Sequence, residues 1–189
     1  MIRKLMMITI VFLSVPVAVQ ANELAISFND YSAQLAFRAQ VADYDTGRSI
    51  LSLRGLYNDR KETELASATF DVLGPIGNTG LELGAGVSGY YVNSGPWNDE
   101  LAAAGLGAVI RYVLPTKVRI SFVGRVNYCP KVFTTMDGEN LFENHVGAFF
   151  EIAPRATAFV TYSNIEADFE NLGDRTIDDS FRVGLTLGF

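Results

Sequence analysis

The chain is poor in the residues that staple, ligate or catalyse. Of 189 residues one is cysteine, one histidine and one tryptophan, and six are proline. A single cysteine, Cys129, cannot close an intrachain disulfide, and it lies far from any position where a lipid would be attached. With one histidine, His145, no oriented base and nucleophile can be assembled from recognisable parts, so an enzyme is not expected and neither is a cofactor. After the first twenty residues no unbroken apolar run is long enough to cross a bilayer as a helix, although the mean hydropathy is +0.18. With 49% hydrophobic and only 19% charged residues, the composition also excludes a disordered chain and fits one domain. The apolar residues must therefore be distributed in some other way.

One such way is confined to the start. Arg3 and Lys4 precede an almost wholly apolar stretch from Leu5 to Val19, and Val19-Gln20-Ala21 supplies small residues for a signal peptidase. This predicts a cleavable secretory signal peptide over 1–21, too short and too interrupted by Pro16 to be an anchor. Removing it takes 21 residues from 189, leaving 168 (22–189), and the loss of Arg3 and Lys4 takes the net charge from -6 to -8.

In the remainder the dominant signal is alternation with period two, in segments of about ten residues, the length of a tilted membrane strand. Phe181, Val183, Leu185, Leu187 and Phe189 share one face, while Arg182, Gly184, Thr186 and Gly188 share the other. From Val118 to Tyr128 the same split sets Val118, Ile120, Phe122, Val126 and Tyr128 against Arg119, Ser121, Arg125 and Asn127. Ten strands are expected: 23–29, 33–41, 50–57, 64–73, 81–92, 101–114, 117–128, 141–152, 156–165 and 179–189. Turn sequences such as Gly74-Pro75-Ile76-Gly77-Asn78 and Pro154-Arg155 separate them. The pattern predicts an all-β fold, an antiparallel transmembrane β-barrel of ten strands, or of eight if the first two segments do not span.

Short connections at Pro115-Thr116 and Pro154-Arg155 alternate with long polar ones at 129–140 and 166–178, as periplasmic turns alternate with external loops. An even strand number then puts both termini on the periplasmic side. Tyr57, Tyr91, Tyr128 and Tyr162 fall at the outer ends of upward strands, and Tyr112 and Phe189 near the opposite rim, so these six are expected to form the membrane-interface girdles. By the same alternation Arg38, Arg54, Asp71, Glu82, Arg111, Arg119, Arg125, Glu143, His145, Glu151 and Arg182 point into the lumen. They are expected either to pair into a charge network that fills a closed barrel or to line a narrow, anion-biased, porin-like channel. Inward small residues, among them Gly84, Gly86, Gly105, Gly107 and Gly184, leave room for water or for large neighbours. A soluble periplasmic barrel that binds a ligand, with its apolar face turned inward, is a third reading.

Other strings carry less. Gly84-Ala85-Gly86-Val87-Ser88-Gly89 has the form of a dinucleotide fingerprint but lies inside a predicted strand with no helix after it. The acidic run from Glu166 to Asp179 lacks the spacing of a calcium loop and reads as a solvated external loop. A net charge of -8 excludes nucleic acid as a partner.

The stretch Tyr128-Cys129-Pro130-Lys131-Val132 through Met136-Asp137-Gly138-Glu139, followed by Ile165-Glu166-Ala167-Asp168-Phe169 and Asp174-Arg175-Thr176-Ile177-Asp178-Asp179, resembles the YfaZ family of bacterial outer-membrane proteins. That resemblance implies a small barrel in the outer membrane of a Gram-negative bacterium. It implies no biochemical activity and no functional residues. The expected protein is a monomer whose partners are outer-membrane lipid and, during insertion, the barrel-assembly machinery.

Overall fold

A computed structural model describes residues 21–44, 46–95, 99–116, 118–170 and 173–189. The signal peptide expected over 1–21 lies, but for Ala21, outside these residues. The described chain forms strands β1 (Ala21–Phe28), β2 (Ser32–Tyr44), β3 (Gly47–Asn58), β4 (Thr63–Pro75), β5 (Leu81–Ser94), β6 (Asp99–Val113) and β7 (Ile120–Cys129). A 3-10 turn (Lys131–Phe133) and the three-residue β8 (Thr134–Met136) lead to β9 (Gly138–Ala153), β10 (Ala156–Phe169) and β11 (Gly173–Gly188). Ten of these strands close a barrel in which each pairs antiparallel with its neighbour in sequence. The ring is completed where β1 meets β11, from Glu23 opposite Gly188 to Phe28 opposite Val183. The short β8 extends the edge of β6.

All ten segments read from the alternation are strands, and the first two are full members of the ring. Closure pairs every interior backbone N–H and C=O between strands, which is what allows a sheet to cross a bilayer without an open edge. Ala21, where the described residues begin, and Phe189 sit at one end of the barrel, hereafter the terminal end, beside the β2–β3, β4–β5, β6–β7 and β9–β10 turns. The opposite, far end carries the remaining connections. At the β9–β10 turn Pro154 is followed by Arg155 at φ 70°, the left-handed conformation that a reversal of two residues demands.

Residues 166–178, expected as a long external loop, instead belong mostly to strands: β10 runs on to Phe169 and β11 starts at Gly173. The reason is a bulge. Ile165 pairs with Asp178 but Glu166 pairs with Thr176, so Ile177 is the extra residue on β11. An inserted residue reverses the inside–outside parity of everything before it. Ile177 and Asp178 therefore both turn inward, at 1% and 0% exposure, and the alternation that identified 179–189 breaks at that point. Strand lengths of up to 16 residues exceed the 9–11 needed to span.

Outward positions carry the large apolar side chains. Val87, Leu106, Val126, Val146, Val183 and Leu185 are exposed around the ring, whereas Ser27, Asp71, Ser88, Asn127, Glu143, Ser163 and Arg182 are buried inside. At these positions the barrel is apolar outside and polar within, the reverse of a water-soluble barrel.

Candidate functional site

The lumen has three levels. At the far end, twelve side chains pack into one buried cluster: Leu56, Leu65, Tyr90, Val92, Leu101, Ala103, Cys129, Leu141, Ile165, Ala167, Phe169 and Ile177. They come from eight of the ten barrel strands, β3 to β7 and β9 to β11. Inward side chains from so much of the ring meet at the centre and form an apolar plug. Cys129 belongs to it and is fully buried.

Beneath the plug lie two polar networks. In the first, the guanidinium of Arg54 grips Glu143 with both nitrogens, Nη1 to Oε1 at 2.5 Å and Nη2 to Oε2 at 3.1 Å. Strands β3 and β9 stand five places apart around a ring of ten, so this pair is a crossbar over the full diameter. Glu143 also accepts from Tyr90 Oη at 2.6 Å and Asn127 Nδ2 at 3.3 Å, and Arg54 Nε donates to Ser67 Oγ at 3.0 Å. In the second network Arg182 and Asp178, both without exposed side-chain surface, pair at 2.7 Å. Asp178 accepts further hydrogen bonds from Asn58, Ser163 and Ser180, while Arg182 donates to Ser163, Ser180 and Ser32. A desolvated ion pair is tolerated where its remaining donors and acceptors are met, as most are here.

The glycines answer whether small inward residues make room for water or for neighbours. A Cβ on Gly86 would collide with the Asp71 carboxylate and the Phe70 carbonyl, and one on Gly107 with the Asn127 amide. These glycines accommodate polar side chains from the adjacent strand rather than open space.

Toward the terminal end the lumen widens into a cavity of about 710 Å3. Its lining reaches from Arg54, Asn127, Glu143 and His145 at the floor to Glu23, Leu114, Thr116, Arg119 and Glu151 at the rim. The buried apolar cluster lies on the far side of its floor, and its rim consists of residues beside the terminal-end turns, so the cavity has the form of a cup opening toward the terminal end. Around it Arg125 pairs with Asp71, Arg38 stands 3.5 Å from Glu23 and Arg119 stands 3.5 Å from Glu151. Glu82 serves two arginines at once, Arg48 at 2.8 Å and Arg111 at 3.0 Å. The Arg38 guanidinium also lies 5.9 Å above the Phe149 ring, which stacks with Phe159 at 5.4 Å.

Of the lumen residues expected from sequence, Arg38, Arg54, Asp71, Arg111, Arg119, Arg125, Glu143, His145 and Glu151 line this cavity. Glu82 stands behind two of the lining arginines and Arg182 sits in the second polar network. Arg119 precedes β7 instead of lying within it, and its side chain is 78% exposed at the rim. His145 joins no side-chain network: its Nδ1 is buried without a hydrogen-bond partner. Sequence reading missed Arg48, although it continues the inward face of Ile50, Ser52 and Arg54 two residues further. It also missed Tyr90 and Asp178.

On the outer surface Tyr57, Tyr91 and Tyr128 are exposed toward the far end, and Tyr162 stacks on Phe181 at 4.8 Å. Tyr112 and Phe189 are exposed toward the terminal end. Beyond the far-end tyrosines Lys131 donates to Glu139, a hydrogen bond that holds its ammonium above the usual lysine value. Among the described residues no group of three or more His, Cys, Asp or Glu is arranged to hold a metal ion.

No protein-family model and no curated protein matches the chain. Among solved structures it is similar to a chain from work on the in-meso crystallization of membrane proteins, at 11% identity over 89% of this chain and 82% of that one, TM-score 0.45. It is also similar to the translocator domain of the autotransporter NalP from Neisseria meningitidis, at 10% identity over 99% of this chain and 94% of that one, TM-score 0.40.

Proposed function

We propose that this protein is a monomeric outer-membrane β-barrel of structural or interaction type, with a charged interior and a lumen closed at its outward end. The apolar outer face, bounded by Tyr57, Tyr91, Tyr128 and Tyr162 on one side and by Tyr112 and Phe189 on the other, supports a bilayer environment with these residues as girdles. The resemblance of the C-terminal third to YfaZ barrels points the same way, as does the signal peptide expected over 1–21, and a barrel of this kind would be inserted by the barrel-assembly machinery. An even ring whose described ends lie together supports an orientation with the terminal end in the periplasm and the plugged end outside.

The observation that carries the closed reading is the apolar plug, whose twelve members are at most 7% exposed. A passive channel would need a continuous wet path, and a cluster of twelve buried, mostly apolar side chains at that level argues against one. The test is conductance of the refolded protein in a planar bilayer, with folding checked by circular dichroism and heat-modifiable gel mobility. Silence is expected. Discrete steps from folded protein would make the barrel a channel and overturn the reading.

A further inference from the structure

The cup has two properties of a binding site that the closed barrel alone does not require. The first is an unmatched charge. Among the described residues six arginines (38, 48, 54, 111, 119 and 125) face five carboxylates (Glu23, Asp71, Glu82, Glu143 and Glu151), an excess of one cationic side chain. The surplus is localised where Glu82 alone answers both Arg48 and Arg111, two guanidiniums that keep 27% and 32% of their side-chain surface open. A guanidinium offers five donors in a planar fork suited to a carboxylate, so two of them sharing one carboxylate leave donors for a second.

The second property is an apolar wall. Ile50, Leu73, Val109 and Val113 line the cup near these arginines, and Phe149 lines it beneath Arg38. A cavity of about 710 Å3 lies within the roughly 300–1,000 Å3 of small-molecule sites, which are mostly apolar with a few convergent polar groups.

We infer that the cup is a periplasm-facing binding site for a small monovalent organic acid, its carboxylate held by Arg48 and Arg111 and its hydrocarbon body set against the apolar wall. This rests on the closed-lumen reading, since a through-flowing channel would not retain such a ligand. One charge in excess matches a monoanion, and the hydrocarbon wall favours an organic acid over an inorganic anion of the same charge.

The experiment is calorimetric titration of benzoate into the refolded protein in lipid nanodiscs, with empty nanodiscs subtracted and inorganic phosphate titrated in parallel. Saturable binding at one site is expected for benzoate, weaker by about tenfold or more in Arg48→Gln and Arg111→Gln, each of which removes a charge-assisted donor. Glu82→Gln removes the competing carboxylate and should tighten benzoate binding, a gain that damage to the fold would not produce. Absence of benzoate binding, affinity unchanged in all three variants, or phosphate binding as tight as benzoate would each overturn the inference. The same preparation is examined for conductance: steps would remove the closed lumen itself, whereas silent bilayers without benzoate binding would remove only the ligand site.

Discussion

Replacing Glu143 by Gln tests the crossbar while keeping the shape of the side chain. The substitution leaves an amide oxygen for Tyr90 but removes the negative charge that Arg54 grips at 2.5 and 3.1 Å across the lumen. Glu143 has 2% of its side chain exposed and Arg54 15%, so the guanidinium left behind is largely cut off from water. Breaking a buried pair by removing one partner costs about 3–5 kcal/mol. Arg54 borders the cup and can recover some hydration there, which sets the expectation at the lower end, about 3 kcal/mol. That corresponds to about two orders of magnitude in the folding equilibrium. Urea titration of the barrel in lipid vesicles, followed by tryptophan-independent circular dichroism, measures it. The double variant Arg54→Met/Glu143→Gln removes both charges and should regain most of the loss. A single variant within about 1 kcal/mol of the parent, or a double variant no better than the single one, would refute the claim that the two charges stabilise each other.

Other expectations follow from the same geometry. Leu185→Arg puts a charge on the outer apolar face and should cost roughly 2–4 kcal/mol in vesicles; parent-level folding would mean that this face does not meet lipid. Gly86→Val drives methyl groups into the Asp71 carboxylate and the Phe70 carbonyl and should abolish the heat-modifiable folded band, whereas Gly77→Ala, in open space though at φ 58°, should retain it. Cys129 should resist a maleimide reagent in the folded barrel and react once the barrel is unfolded in urea, and rapid labelling of folded protein would contradict its place in the plug. Arg119→Gln, at a rim pair 3.5 Å apart with the arginine 78% exposed, should change stability by less than about 1 kcal/mol in the same titration.

Much of the barrel was legible in the sequence because a lipid-facing strand advertises itself twice, through alternation and through length. Phe181 to Phe189 and Phe122 to Tyr128 needed nothing more. What was not legible depended on interactions between strands. The bulge at Ile177 reverses parity without any local composition cue, so Asp178 read as part of an acidic loop although it is the buried partner of Arg182. Alternation correctly set arginines and carboxylates on the inward face. It could not say which would meet, and pairs such as Arg54 with Glu143 join residues 89 positions apart. The plug was invisible for a further reason. At the far end the inward faces turn apolar, and a rule of apolar outside and polar inside does not reveal Leu141, Ile165 and Phe169 as a buried cluster.

The seam between the first and last strands carries its own consequence. Every other pair in the ring joins neighbours in the chain, which hairpins can form as they appear, but β1 must wait for β11, where Asn22 and Phe189 exchange both backbone hydrogen bonds. Until that moment the sheet has two raw edges, each a template for pairing with another chain. Barrel completion is therefore a single late event with the longest loop to close, and a chain lacking β11 would remain an open, aggregation-prone ribbon however well its other hairpins had formed. The hydrogen bonds between Asn22 and Phe189 thus belong to the one seam that no hairpin can form by itself.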